Sequence, residues 1–315
     1  MKTFYYPDDA LTGGSYAATI GFFDGVHRGH QYLIEQLRQA SAAHGLSTMV
    51  ITFDRHPREV VQAGWQPKLL TTTEEKLALL AQRGIDTTVV LRFDAAMAAM
   101  SARQFMAGVL AARLNVRLLL TGYDNRFGHD RTEGFSDYQR YGHEVGIDVV
   151  AAEALQTEGV VSSSSVVRRL LAEGRVAEAA TCLGRPYALN GVVVHGEQVG
   201  RQIGFPTANL LPGDERKHLP ANGAYAVRVE MPDGRLLPAM TNIGTRPTFK
   251  GSRQTIETHI LARVYNIYGT RLTLHFIARL RDEQAFASPH DLAQQLEADK
   301  EETLRVLSTK QLSLY

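Results

Sequence analysis

Residues 21–30 read Gly-Phe-Phe-Asp-Gly-Val-His-Arg-Gly-His, set between an apolar run at Ala17–Gly21 and a helical pattern at Gln31–His44. Glycines at 21, 25 and 29 let the backbone bend tightly where a strand hands over to a helix. The helix start then presents free N–H groups and the positive end of its dipole. The helical pattern carries Leu33 and Leu37 on one face and closes at Gly45, and Ser47–Phe53 reads as the next strand, which makes a β-loop-α-β unit. The alternation continues with a helix near Glu74–Arg83, a strand near Thr87–Phe93, a helix from Ser101 with Gln104 completing a capping box, and a strand at Val116–Thr121. This order predicts an α/β region with a parallel sheet, helices on both faces and ligands at the carboxyl ends of the strands.

After about residue 185 the texture changes. Ala188–His195 and Ala224–Met231 alternate like half-buried strands, Pro232-Asp233-Gly234 turns into Arg235–Ile243, and Thr255–Ala262 and Arg271–Leu280 follow. The second half is therefore expected to be antiparallel, a small barrel, closed by a helix from Pro289 through Leu292, Leu296, Leu304 and Leu307. Two domains are expected, 1–183 and 184–315, and 315 residues at 44 % apolar content supply two cores. With 34 Lys+Arg against 33 Asp+Glu, the charge balance favours neither a nucleic-acid partner nor an anionic membrane. The single Cys182 suits a reducing compartment, and no signal peptide or spanning apolar run is read, so a cytoplasmic protein is expected.

Several residues stand where phosphate chemistry needs them. His27 and His30 flank the helix start and can donate ring N–H bonds to phosphate oxygens, whereas neither a Walker loop nor a dinucleotide fingerprint is present. No Cys or carboxylate stands beside them at metal-ligand spacing. Ser163–Ser165 place hydroxyls at a helix start, and Arg168 one turn in reaches a phosphate bidentately, so Ser165 and Arg168 are assigned to phosphate. Asp124 and Asn125 follow a strand's carboxyl end, where turn chemistry and a site are both possible readings. Thr207 and Asn209, two apart behind Pro206 in extended chain, offer two oxygens to one Mg²⁺ or phosphate. Gly196 to Gly204, with Gly200 between, form a flexible strip suited to covering phosphates. Glu257 shares one strand face with His259, opposite Ile256, Thr258 and Ile260, and that period alone does not single it out.

Gly21–His30 resembles the His-x-Gly-His motif of the nucleotidyltransferase superfamily, and its wording is most similar to the FMN adenylyltransferase half of bacterial bifunctional FAD synthetases. Thr52–Pro57, Gly122–Gly128 and Ser163–Arg168 resemble that family's further motifs in order, while Gly184–Tyr187, Gly191–Gly196, Gly204–Leu210, Asn242–Phe249 and Glu257–Ile260 resemble its riboflavin kinase module. The resemblance implies a Rossmann-like nucleotidyltransferase domain followed by a six-stranded antiparallel β-barrel riboflavin kinase domain. It implies that riboflavin is phosphorylated by ATP to FMN and ADP, and FMN adenylylated by ATP to FAD and pyrophosphate, with Mg²⁺ as cofactor. By it Glu257 is the general base, Thr207 and Asn209 hold Mg²⁺ and ATP phosphates, and Gly21, Phe23, Asp24, Gly29, His27 and His30 belong to the adenylyl site. The chain departs from the family wording at Arg55 (usually Pro), at Ser162 and Ser165 (usually Ile and Thr) and at Gln198 (usually Gly). Three other readings remain: an adenylyltransferase for a different acceptor, a bifunctional chain with one half decayed, and a flavin sensor on the same scaffold.

Overall fold

The parallel pattern of the first half and the antiparallel pattern of the second separate in space. The computed structural model describes every residue except 12, 63, 123–125, 130–131, 156–161, 197–199, 201–202, 249–250, 265 and 310–315, with the backbone alone for 246–248 and 251–253. The chain divides into two compact units, Met1–Val160 and Val161–Tyr315.

In the first unit, β1 (Lys2–Tyr6), β2 (Tyr16–Ile20), β3 (Ser47–Phe53), β4 (Thr87–Leu91), β5 (Val116–Thr121) and β6 (Asp148–Ala151) form one sheet in the order β1-β4-β3-β2-β5-β6. Every pairing is parallel. Helices α1 (Arg28–His44), α2 (Pro57–Val61), α3 (Thr73–Ala81), α4 (Ala95–Ala98), α5 (Ala102–Phe105) and α6 (Phe135–Val145) complete the unit. Because both sheet faces are covered, β2 and β4 are buried at every position instead of alternating. Successive residues still go to opposite sides: Met49 and Ile51 join one core with Tyr138, and Val50 joins the other with Ile34 and Leu37. On α1 the buried residues are Ile34, Leu37 and Ser41, so Leu33 lies at the margin of the face and Ile34 at its centre.

From β2 the chain steps outward through β3 to β4 on one side, and from β5 to β6 on the other. The strand order reverses between β2 and β5, and ligand crevices in open α/β sheets form at the carboxyl ends beside such a reversal. The 21–30 segment leaves β2 there.

In the second unit, β7 (Tyr187–Val194), β8 (Ala208–Pro212), β9 (Gly223–Glu230), β10 (Leu236–Thr248), β11 (Gly251–Ile260) and β12 (Arg271–Arg281) close a six-stranded barrel in the order β10-β11-β8-β7-β12-β9. All of its pairings are antiparallel. The last helix, α9 (Pro289–Thr309), buries Asp299, Thr303 and Leu307, while Leu304, expected inside, is exposed. The buried stripe advances by four from 299 to 303 to 307, which turns 304 outward. Asp299 sits in that stripe because Arg281 of β12 clasps its carboxylate with contacts of 2.7 and 3.0 Å. Among the described residues no helix is long and apolar enough to cross a membrane.

Two further helices, α7 (Ser164–Ala172) and α8 (Val176–Leu183), fall on the barrel side of the division between compact units. His218 bonds the Arg168 carbonyl at 3.1 Å, and the Ala221 amide donates to the Leu171 carbonyl at 2.9 Å. Gly174, at φ +74°, lets Arg279 pass so closely that an added Cβ would lie 2.8 Å from its Nε. Val167, Leu170, Leu171, Ala179, Cys182 and Leu183 are buried, and a fully buried aliphatic side chain contributes on the order of 2 kcal/mol. A fragment starting near residue 162 is therefore expected to melt well above one starting at 184. Equal melting temperatures for the two fragments would remove the helical pair from the barrel's core.

Candidate active sites

Leaving β2, Phe23 at φ 55°, Gly25 at φ 78° and Val26 at φ 40° put three of four consecutive residues in the left-handed region. Only Gly25 adopts that conformation without steric cost, so the turn needs outside support. Asp24 supplies it. Its buried carboxylate accepts from the Leu70 amide at 3.0 Å and the Thr71 amide at 2.9 Å, and the Thr71 hydroxyl lies 3.0 Å from the Gly25 amide. The Phe23 ring is buried against His30, with centroids 5.0 Å apart, and a Cβ on Gly21 would stand 3.1 Å from it. Gly21, Phe23 and Asp24 thus shape the turn from inside, and the Asp24 carboxylate is aimed at backbone amides.

The turn delivers His27 as the N-cap of α1 and His30 in its first turn, beside Gly29. The side chain of the N-cap residue, His27, makes no capping hydrogen bond here. The two imidazoles stack with centroids 3.6 Å apart and planes 25° from parallel. Burial, then the neighbouring His27 and the ammonium of Lys76, hold the His30 pKa well below its ordinary value. Its Nδ1 is buried and makes no hydrogen bond among the described residues. His30 is accordingly neutral near pH 7 and offers one ring N–H.

Two features beside this turn escaped the sequence reading. Lys76, in the first turn of α3, is 2 % exposed and donates to the Phe22 carbonyl at 3.1 Å, the Thr52 hydroxyl at 2.9 Å and the Phe53 carbonyl at 3.1 Å. A cavity of about 60 Å³ lined by Ile20, Phe53, Phe93, Phe105 and Phe127 opens at the carboxyl end of the sheet. The Tyr138 hydroxyl, 3.0 Å from the Phe127 amide, holds Phe127 in place. The expected contributors Asp124 and Asn125 lie outside the described residues. Arg55 is exposed and reaches Asp54 at 3.4 Å.

In the barrel the arrangement is set by register. Asn209 of β8 stands opposite Glu257 of β11, and Glu257 stands opposite Asn242 of β10, so three strands bring these side chains into one row. Thr207 and Asn209 are half-exposed on one face, while Ala208 and Leu210 point into the core. Along β11, Ile256, Thr258 and Ile260 are buried, and Glu257 and His259 lie on the more open face. The His259 Nδ1 bonds the Pro206 carbonyl at 2.7 Å and fixes the segment that leads into Thr207.

Gly196 and Gly200 approach the same place. A Cβ on Gly196 would run into the Asn209 side-chain amide, and one on Gly200 would strike the Phe205 carbonyl oxygen and approach Thr207 Cγ2 at 3.6 Å. Gln198 lies outside the described residues. A cavity of about 1000 Å³ begins at Thr207 and runs past Thr258, His259 and Tyr268 to Lys300. Tyr268 stacks on His195 at 3.9 Å. Asn242 is a neighbour of Glu257 that the sequence reading did not single out as a site residue, because only the barrel's register sets it there.

On α7 the hydroxyl that caps the helix is that of Ser163, which accepts from the Val166 amide at 3.3 Å. Ser165 is exposed in the first turn, and Arg168 is half-buried one turn on. Ser162 donates to the Cys182 carbonyl at 2.7 Å and ties α7 to α8.

Residues 12–166 match the family described as FAD synthetase, and residues 183–307 match the family described as riboflavin kinase. The chain is 40 % identical over 282 residues to the bifunctional riboflavin kinase/FMN adenylyltransferase of Escherichia coli K12, covering 90 % of each chain. To the protein of the same description from Pseudomonas fluorescens it is 37 % identical over 283 residues, again covering 90 % of each. A solved structure from Streptococcus pneumoniae, described as a macrolide-efflux protein, superposes with a TM-score of 0.89 at 31 % identity and covers 96 % of this chain and 99 % of its own.

The depressed pKa of His30 has a measurable sign. A histidine that is neutral when folded and titrates at its ordinary 6.5 when unfolded contributes stability that is present above pH 6.5 and lost as the pH falls through the folded value. The first unit is expected to lose stability on acidification below that point, and His30→Asn to flatten the dependence. An NMR titration placing His30 near 6.5 would reject this environment.

Proposed function

The chain belongs to the family of bifunctional riboflavin kinase/FMN adenylyltransferases, and from that premise we propose how its residues divide the two reactions. The protein phosphorylates riboflavin with ATP to give FMN, then adenylylates FMN with a second ATP to give FAD and pyrophosphate. The observation that carries the residue assignment is the strand register that sets Asn209 beside Glu257, with Thr207 on the same face and Gly196 against the Asn209 amide.

In our reading Glu257 is the general base of the kinase step. The 5′-hydroxyl of riboflavin is a poor nucleophile, and a carboxylate that accepts its proton as the O–P bond forms lowers the barrier. Thr207 and Asn209 would hold Mg²⁺ together with the ATP phosphates. Both present neutral oxygens, and no cluster of three His, Cys, Asp or Glu occurs among the described residues, so the donor set suits a hard cation that keeps phosphate and water ligands. When bound, the ion neutralises charge on the transferring phosphoryl group. Gly196 and Gly200, which leave no room for a side chain beside Asn209 and Phe205, would border the phosphates.

The adenylyl step is assigned to the 21–30 turn. The FMN phosphate is already ionised at neutral pH, so no base is needed, and catalysis consists of positioning and of stabilising the pyrophosphate that leaves. His27, His30 and the start of α1 are the donors for it, with Gly29 giving the phosphates access. Gly21, Phe23 and Asp24 act by shaping the turn, and the aromatic cavity at Phe53 and Phe127 gives the flavin ring an apolar wall. Asp124, Asn125, Ser165 and Arg168 are assigned to this step on the family resemblance. We set the functional boundary at 183/184, which the start of the riboflavin kinase match at residue 183 supports. The need for ATP favours the cytoplasm as the site of reaction. We do not carry the efflux description of the Streptococcus pneumoniae protein over to this chain, because both family matches and both proposed sites are those of flavin-nucleotide chemistry.

Three sets of variants separate the roles. Glu257→Gln keeps the shape and removes the basic oxygen, so riboflavin turnover is expected to fall on the order of 10² or more with little change in ATP or riboflavin affinity. Near-normal turnover would end the base assignment. Thr207→Ala, Asn209→Ala and Gly196→Ala should instead raise the Mg²⁺ concentration needed for half-maximal FMN formation, and an unchanged requirement in all three would remove the metal role. His27→Ala and His30→Ala are expected to lower FAD formation from supplied FMN by about 10² or more and to spare riboflavin phosphorylation. Equal loss of both activities would place these residues in folding.

A further inference from the structure

We propose that Lys76 is a positioning residue for the adenylyl step: its ammonium pins the 21–30 turn to the carboxyl edge of the sheet and supplies the fixed positive charge beside the His27–His30 pair. The inference rests on the assignment of that pair to FAD formation.

The geometry gives Lys76 no ligand of its own. An ammonium has three N–H donors, and here they are directed at the Phe22 carbonyl, the Thr52 hydroxyl and the Phe53 carbonyl. Phe53 ends β3, and Phe22 lies two residues past β2, so the lysine clasps the two central strands where their ladder stops. The Thr52 hydroxyl also donates to the Phe22 carbonyl at 3.1 Å, which makes one network of the clasp. The ammonium stands 4.4 Å from the centre of the Phe22 ring. Phe22 precedes the three left-handed residues of the turn, and Asp24 reaches from that turn to Leu70 and Thr71, just ahead of α3. Lys76 reaches back from α3 to Phe22. The turn is therefore fastened in both directions to one stretch of chain.

Fastening alone does not require a charge at this place, and burying an ammonium is costly unless it is well solvated by protein. The groups that share its field are Asp24 in the turn, Asp54 after β3, and His30 in α1 with His27 beside it; the His56 ring meets Phe22 edge to face, with centroids 4.7 Å apart. Asp54 is drawn aside by the Phe93 amide at 3.0 Å, and Asp24 by the Leu70 and Thr71 amides. The lysine thus leaves positive charge beside the imidazoles. Near neutral pH that charge helps keep His30 uncharged, a donor of defined valence, and it favours the negative charge that builds on departing pyrophosphate.

Burial lowers the Lys76 pKa to about 8, with Asp24 and Asp54 acting in the opposite direction. The ammonium therefore discharges within the range where enzymes are assayed. Deprotonation removes both the charge and one donor from the clasp, so FAD formation should decline in mildly alkaline solution by a route that riboflavin phosphorylation does not share.

The test is the pH profile of FAD formation from supplied FMN, from pH 6 to 10, for the full chain and for Lys76→Met, Lys76→Arg and His30→Ala. Riboflavin phosphorylation is read in each sample, and folding is checked by thermal melting. The expected result is an alkaline decline in the unmutated protein that coincides with the titration of the Lys76 Nζ followed by NMR. Lys76→Arg should move that decline upward by a pH unit or more. Lys76→Met should lose about tenfold or more in kcat at pH 7, with a much smaller change in KM for FMN and no decline of its own. Should Lys76→Met not fold, the coincidence of titration and decline, and its shift in Lys76→Arg, decide the matter. A Lys76→Met protein with normal kcat and the original profile, or a Lys76 Nζ that titrates apart from the decline, overturns the inference. If His30→Ala also makes FAD normally, the failure lies in the site assignment; if His30→Ala is inactive while Lys76→Met is normal, it lies with Lys76 alone.

Discussion

The first unit depends on a buried carboxylate turned toward backbone amides of its own chain. Asp24 sits in a turn where Phe23 and Val26 hold left-handed backbone that side chains with a Cβ disfavour, each at a cost on the order of 1 kcal/mol or more. The bonds from the Leu70 and Thr71 amides offset that cost and satisfy a group whose burial is otherwise unfavourable. Released from them, the chain after β2 has no reason to present His27 at the start of α1, and the helix terminus loses its approach to phosphate. The turn that carries His27 and His30 is thus held by another residue of the same motif.

The barrel solves the same problem without strain. Closing six strands fixes the register of each, and register alone sets Glu257 between Asn209 and Asn242. A slip of one residue on β11 would exchange the faces of Glu257 and Thr258 and bury the carboxylate, so the hydrophobic alternation of Ile256, Thr258 and Ile260 that holds the core also orients Glu257. Core packing and catalytic geometry are one constraint here. Gly196 completes it, since any side chain there would occupy the space of the Asn209 amide.

Much of this was legible in the sequence because it is local. Ser47–Phe53 and Val116–Thr121 were expected with the bounds they have, and the Ser101–Gln104 capping box forms with bonds of 2.9 and 3.2 Å. The glycine-rich turn, the face of Glu257 and the shared face of Thr207 and Asn209 follow from period and residue type. What was not legible depends on partners far along the chain. β1 is an edge strand with an open burial pattern, and β8 has five residues, so neither carries a strong periodic signal. Lys76 falls inside the helix expected near Glu74–Arg83, and nothing local marks it until the fold brings Phe22 and Phe53 to it. The bonds that Asp24 accepts from the Leu70 and Thr71 amides, 46 and 47 residues away, are not legible from its own motif. The helices α7 and α8 read as the end of the first domain, and only the bonds to His218 and Ala221 and the close approach of Arg279 to Gly174 show where they pack.

The two reactions ask for different kinds of rigidity, and that difference matches the two architectures. Removing a proton from a hydroxyl requires a base within hydrogen-bond reach of one oxygen, a demand on position to a few tenths of an ångström that a closed barrel meets through its ladder. Transferring an adenylyl group to an ionised phosphate requires diffuse positive character along a polyphosphate, which in the proposed assignment a helix start, two imidazoles and a buried ammonium would supply together. Such a field tolerates small displacements of any one donor but not the loss of the turn that gathers them. The barrel site is therefore most sensitive to the identity of one carboxylate, and the sheet site to the buried bonds beneath its loop, where Asp24 and Lys76 are placed.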